Sequence, residues 1–117
     1  MEKFMQAIDR SSAEHYTWGN GCDGWHLVKR ADMSVISERV PPGASEVRHF
    51  HASARQFFYI LEGCAILEIN GKRIPLSEGQ GIEVDPGTPH QFLNESSADV
   101  RFLVISHPAT LGDRLEV

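Results

Sequence analysis

The chain has 117 residues, 41% of them hydrophobic, and a formal net charge of -5 from 16 acidic against 11 basic residues. That length sustains one hydrophobic core rather than two, and the acidic balance argues against nucleic acid or an anionic membrane surface as partner, since both need a basic footprint. No apolar run is long enough to span a bilayer, and the first ten residues carry charges where a signal peptide needs an apolar core, so the expectation is a cytoplasmic protein.

Met1, Phe4, Met5 and Ile8 recur at i, i+3, i+4 and i+7, which predicts either a short amphipathic helix or a frayed terminus with a few apolar residues. Tyr16 and Trp18 alternate around Thr17 in an extended segment, and three glycines between Gly19 and Gly24 mark a turn. Residues 1–24 are thus read as an N-terminal arm, ahead of a barrel over 25–106 and a tail over 107–117. Trp25–Ala31 and Met33–Val40 are strand candidates, and Pro41-Pro42-Gly43 stops the second. Further strands are expected at Glu46–His51, Gln56–Glu62, Ala65–Asn70, Lys72–Leu76, Gly81–Val84, His90–Leu93 and Val100–Ser106. Asn70-Gly71 is a two-residue hairpin signal, because a type I′ turn needs positive φ at both central positions. Many short, closely spaced strands without intervening helices predict an all-β sandwich or small barrel. The tail reads as coil with a short terminal turn. Cys22 and Cys64 lack disulfide-framework spacing and read as free thiols.

Two stretches carry the chemistry. His49 and His51 stand two apart in a strand, so both imidazoles point to one face. Gln56 opens the next strand, and its amide oxygen can reach the same point. His90 follows the turn Pro86-Gly87-Thr88-Pro89. Three imidazoles and one amide carbonyl suit a divalent transition metal. His15, His26 and His107 have no such company and read as ordinary polar residues.

These stretches resemble the two motifs of the cupin superfamily. The first is Gly, five residues, His-x-His, three or four residues, Glu, six residues, Gly; here Gly43, His49, His51 and Gly63 fall in register and Gln56 stands at the glutamate. The second is Gly, five residues, Pro-x-Gly-x-x-His, three residues, Asn; Gly79, Gly87, His90 and Asn94 fall in register and Asp85 replaces the first proline. The resemblance implies a single-domain cupin, a double-stranded β-helix or jelly-roll barrel of the RmlC-like type. It also implies one divalent metal per chain (iron, manganese, nickel or zinc) on His49, His51, Gln56 and His90, and a homodimer. Glutamine in place of glutamate leaves the site its full +2 charge and favours an anionic, chelating ligand; a water in place of the Gln56 oxygen is the alternative.

Alternation with Gln56 and His90 predicts a cavity lined by Phe58, Ile60, Leu67 and Phe92. Arg39 and Arg101, within strands, are candidates to clamp a substrate carboxylate, with a solvated face as the alternative; Arg48 should face away from His49. The last barrel strand, Val100 to Ser106, offers little acid–base chemistry, so the ring-opening activity of small uronate-acting cupins with a similar ligand set is not assigned and no catalytic residue is named. The expected function is a metal-dependent enzyme of isomerase, lyase or dioxygenase type acting on a small anionic or oxygenated molecule. The competing reading is a non-catalytic module that binds a sugar or carboxylate.

Overall fold

The computed structural model describes residues 5–117. Eleven strands follow one another: β1 (Glu14–Trp18), β2 (Cys22–Lys29), β3 (Ser34–Val40), β4 (His49–His51), β5 (Arg55–Glu62), β6 (Ala65–Ile69), β7 (Lys72–Leu76), β8 (Gly81–Val84), β9 (His90–Leu93), β10 (Val100–His107) and β11 (Arg114–Glu116). They form a six-stranded sheet of order β1-β2-β3-β10-β5-β8 and a five-stranded sheet of order β11-β4-β9-β6-β7, every pairing antiparallel. This is the all-β architecture that the strand spacing predicts and the jelly roll that the resemblance implies.

Local chemistry sets the strands. In β10, Val100, Phe102, Val104 and Ser106 are buried while the residues between them are not, the period-2 signature of a strand with one buried face. Phe58 and Ile60 on β5 repeat it, and Leu67 and Phe92 answer from the other sheet. Phe92 and Phe102 stack across the interface with centroids 4.0 Å apart, and each fully buried side chain of this size contributes about 1.5–3 kcal/mol. Asn70 and Gly71 have φ of 51° and 84°, and Ile69 pairs with Lys72 around them, so the expected hairpin forms.

Three sequence readings change. Met5 to Asp9 carry no helix, and the rest of the expected N-terminal helix, residues 1–4, lies outside the described residues. The boundary at Gly24 falls inside β2, and β1 is hydrogen-bonded to β2 at the edge of the larger sheet. The tail runs as coil and turn over 108–113 but ends in a strand: β11 pairs with β4, setting Arg114 opposite His51 and Glu116 opposite His49. A three-residue strand with no alternation to read was invisible until its partner was known.

Beyond β3 the inner face of the larger sheet continues over β1 and β2. The ring of Tyr16 lies on Gly24, where a Cβ would come within 2.2 Å of it. Glycine at that position lets the phenol lie flat against the sheet and turn its hydroxyl toward Glu38.

Candidate metal and ligand site

His49 and His90 are direct cross-strand partners on β4 and β9, and His51 lies two residues along on the same face. Their ring centroids are 4.5–5.7 Å apart, and one nitrogen from each lies within 4.8 Å of the others. All three are buried. Each Nδ1–H donates to a backbone carbonyl: His49 to Val47 at 2.7 Å, His51 to Asp113 at 3.0 Å and His90 to Thr88 at 2.9 Å. Those bonds fix the tautomer and leave Nε2 as the bare lone pair, the arrangement a metal-binding imidazole needs. Burial holds all three below the usual imidazole range, His49 at about 3, so they are neutral at pH 7.

Gln56 reaches the same cavity from β5 in the opposite sheet. Its Nε2 donates to Ser106 Oγ at 3.1 Å, and Ser106 is its cross-strand neighbour on β10. That bond commits the amide nitrogen and leaves Oε1 buried with no hydrogen-bond partner; Nε2 of His90 is in the same state. Buried acceptors without partners are costly. A cation held by the three imidazoles would satisfy the His90 nitrogen, and the neutral, Nδ1-anchored histidine set fits a divalent metal.

The loop that closes the site comes from the tail. The Asp113 carboxylate accepts the backbone amides of Ala52, Ser53 and Ala54 at 2.9–3.2 Å, and these bonds, Ser53 foremost, hold it below the usual carboxylate range. The same residue's carbonyl orients His51.

The cavity of about 290 Å³ opens between the histidines and the inner face of β3 and β10, with Glu38, Glu46, Tyr16 and Arg114 on its walls. The last barrel strand brings only Ser106 to the cavity as a polar group, as expected; these other polar groups come from β1, β3, the segment before β4, and β11. The Tyr16 ring and the Glu38 carboxyl share one wall of the cavity; burial first, and then the charge of Glu38, raises the phenol above its ordinary value. Burial, then the neighbouring Glu46, pushes Glu38 up to about 8; burial pushes Glu46 up to about 7, against the opposing pull of the Phe92 amide and Arg114. The carboxyl pair therefore holds a proton at neutral pH. Glu46 Oε2 lies 4.0 Å from His49 Nδ1, but that nitrogen is committed to Val47 and the imidazole is neutral, so the contact is not an ion pair.

Parity within β3 contained a signal for Glu38. Ile36 and Val40 face inward, so Glu38 between them does too, and Arg39 faces out. Arg39 binds Asp23, Asp99 and the Gly21 carbonyl, and Arg101 binds Glu62. Neither lines the cavity, for the same reason: Phe102, next to Arg101, takes the inward position. The cation at the site is Arg114, carried in by β11. Of the four residues expected to line the cavity, only Phe58 does; Ile60, Leu67 and Phe92 lie fully buried in the core. Arg48 faces away and binds Glu68, as alternation requires. Asp85 pairs with Arg55.

Among the described residues no helix is long and apolar enough to cross a membrane. Residues 36–106 match the cupin domain family. The chain is 33% identical over 67 residues to the oxalate-binding protein of Thermotoga maritima, covering 57% of this chain and 55% of that one. It is 27% identical over 76 residues to the tetracenomycin polyketide synthase protein TcmJ of Streptomyces glaucescens, covering 65% and 50%. It thus spans about half the length of each. The polyketide cyclase RemF of Streptomyces resistomycificus superimposes with a TM-score of 0.84 at 21% identity, over 97% of this chain and 86% of that one; at that identity the likeness is one of fold. The match covers most of the barrel, both histidine stretches included, and the chain belongs to the cupin family.

Proposed function

We propose that this chain is a metal-dependent enzyme that moves protons on an oxygenated, anionic substrate, an isomerase or lyase in type. The metal is one divalent transition ion per chain, bound by Nε2 of His49, His51 and His90 and by Oε1 of Gln56. When bound, it supplies a Lewis acid that polarises a coordinated carbonyl. The chain's own groups do the rest. Arg114 attracts a carboxylate, Phe58 and Val104 limit water, and Glu38, beside Tyr16 on the cavity wall, takes or returns a proton at a carbon beside the carbonyl. The carrying observation is that two carboxyls, Glu38 and Glu46, which burial pushes up toward neutrality, share one cavity with His49 and His51, because a general acid–base is most effective when its pKa lies near the working pH. That observation favours turnover over the alternative of a non-catalytic sugar- or carboxylate-binding module. The oxalate-binding relative lends support to an anionic, chelating ligand, and the polyketide cyclase to chemistry on this fold.

Elemental analysis of protein purified without chelator should find about one metal per chain, and the loaded protein should turn over a member of a panel of uronates, diketones and catechol-like compounds. Full metal loading with binding but no conversion across the panel would return the chain to the binding-module reading. A homodimer in a cytoplasmic setting belongs to the same proposal; sedimentation as a monomer at micromolar concentration would remove the dimer from it.

Gln56 gives a sharper test. Glutamate there adds one negative charge at bonding distance from the metal, about 2 Å. Gln56→Glu should bind the metal more tightly and an anionic ligand such as oxalate about tenfold or more weakly, since the site charge falls from +2 to +1. Side-by-side titrations measure both. Unchanged or stronger oxalate binding would mean that Gln56 does not keep the site cationic.

A further inference from the structure

A second hollow, of about 600 Å³, adjoins the first. The two share a wall of four residues, Tyr16, Ile36, Thr110 and Leu111. Its floor is the part of the larger sheet that β1 and β2 extend past the barrel. The Tyr16 and His26 rings lie there with centroids 4.9 Å apart. Two polar atoms on the floor, His26 Nδ1 and Ser34 Oγ, are buried and have no partner, and Ser34 is only 6% exposed. Elsewhere the surface is mainly apolar, and Leu111, 97% exposed, stands on the rim common to both hollows. A side chain of that size left in water beside an apolar groove gains when a ligand covers it.

We propose that the substrate is an extended molecule rather than a small diacid. An oxygen-rich chelating head sits at the histidines. A flat, largely apolar body carrying at least one hydrogen-bonding oxygen lies in the neighbouring groove, under Leu111 and over the Tyr16 and His26 rings. His26 Nδ1 and Ser34 Oγ meet the oxygen of the body. A two-carbon diacid would fill little of the first hollow and none of the second. The inference rests on the reading that the metal holds the head.

Two probes with the same hydroxy-carboxylate head separate head from body: salicylate, with one ring, and 1-hydroxy-2-naphthoate, with a second fused ring. Calorimetric titration of metal-loaded protein should show the naphthoate bound about tenfold more tightly, the gain when roughly half of one fused ring leaves water. Ala31 lines only the groove, is exposed, and sits in the bend between β2 and β3. Ala31→Trp fills the groove without touching the barrel; it should abolish the preference and leave salicylate affinity and metal content unchanged. A wild-type preference below about twofold, or one that survives Ala31→Trp, would overturn the proposal. An unmoved preference together with a changed sedimentation coefficient would overturn it in favour of a second copy of this chain in the groove. Salicylate binding that ignores removal of the metal would instead sink the site reading, because that probe reports the head alone.

Discussion

Protein carrying His51→Ala should emerge from purification nearly free of metal, with affinity reduced at least about 100-fold. Loss of an outer-sphere partner already costs 10–100-fold, and this change deletes an inner ligand. Two further facts enlarge the effect. The remaining set would be two imidazoles and one amide, all neutral, so no charge compensates for the missing donor. The Asp113 carbonyl, which now accepts from His51, would face the emptied space and lose its donor, although the Asp113 carboxylate still holds the tail on the amides of Ala52, Ser53 and Ala54. Metal analysis after dialysis measures the outcome. His15→Ala is the control, because His15 pairs with Asp23 away from the site and should keep full occupancy. Full metal content in the His51 variant, with the fold intact by circular dichroism, would remove this histidine from the ligand set.

Glu38→Gln should leave the metal in place and lower turnover by about 10²- to 10⁴-fold, the usual contribution of a positioned acid–base group. Glutamine keeps the shape of the side chain, but it cannot carry the proton. The same variant has a signature in stability that needs no substrate. Glu38 is pushed up to about 8 in the folded chain from an ordinary 4.5. Between those values the folded state binds more protons than the unfolded one, so stability conferred by this group is present below about pH 4.5 and is lost as pH rises through 8. Glutamine abolishes that slope. The full shift corresponds to about 5 kcal/mol, and the cavity's opening to water reduces the expected gain to about 2 kcal/mol. Denaturant titrations should therefore give wild type and variant similar stability near pH 4 and a more stable variant near pH 9. A parallel pair of pH profiles would mean that Glu38 is solvated and charged like any surface carboxylate, and its catalytic assignment would go with it.

Much of this was legible in the sequence, and the legible part is local. Alternation in the stretch that becomes β10, the Asn70-Gly71 turn and the proline stop at Pro41-Pro42 each act within a few residues, so each could be read from its neighbours. The His49-x-His51 pair belongs to the same class: one strand alone puts both rings on one face. Which other groups share that face depends on register between segments distant in the chain. Glu38 meets Tyr16 because β1, β2 and β3 pair so that Tyr16, Gly24 and Glu38 form one row. Arg114 reaches the site because a three-residue strand from the tail docks on β4, and Arg39 and Arg101 miss it because their inward neighbours Glu38 and Phe102 occupy the face. A one-residue change of register would exchange those roles. The sequence by itself determined most of the barrel strands and the shared face of His49 and His51, since these follow from periodicity two. The tertiary structure alone decided the acids, the cation and the groove, since long-range pairing chooses which strands, and which of their two faces, come together.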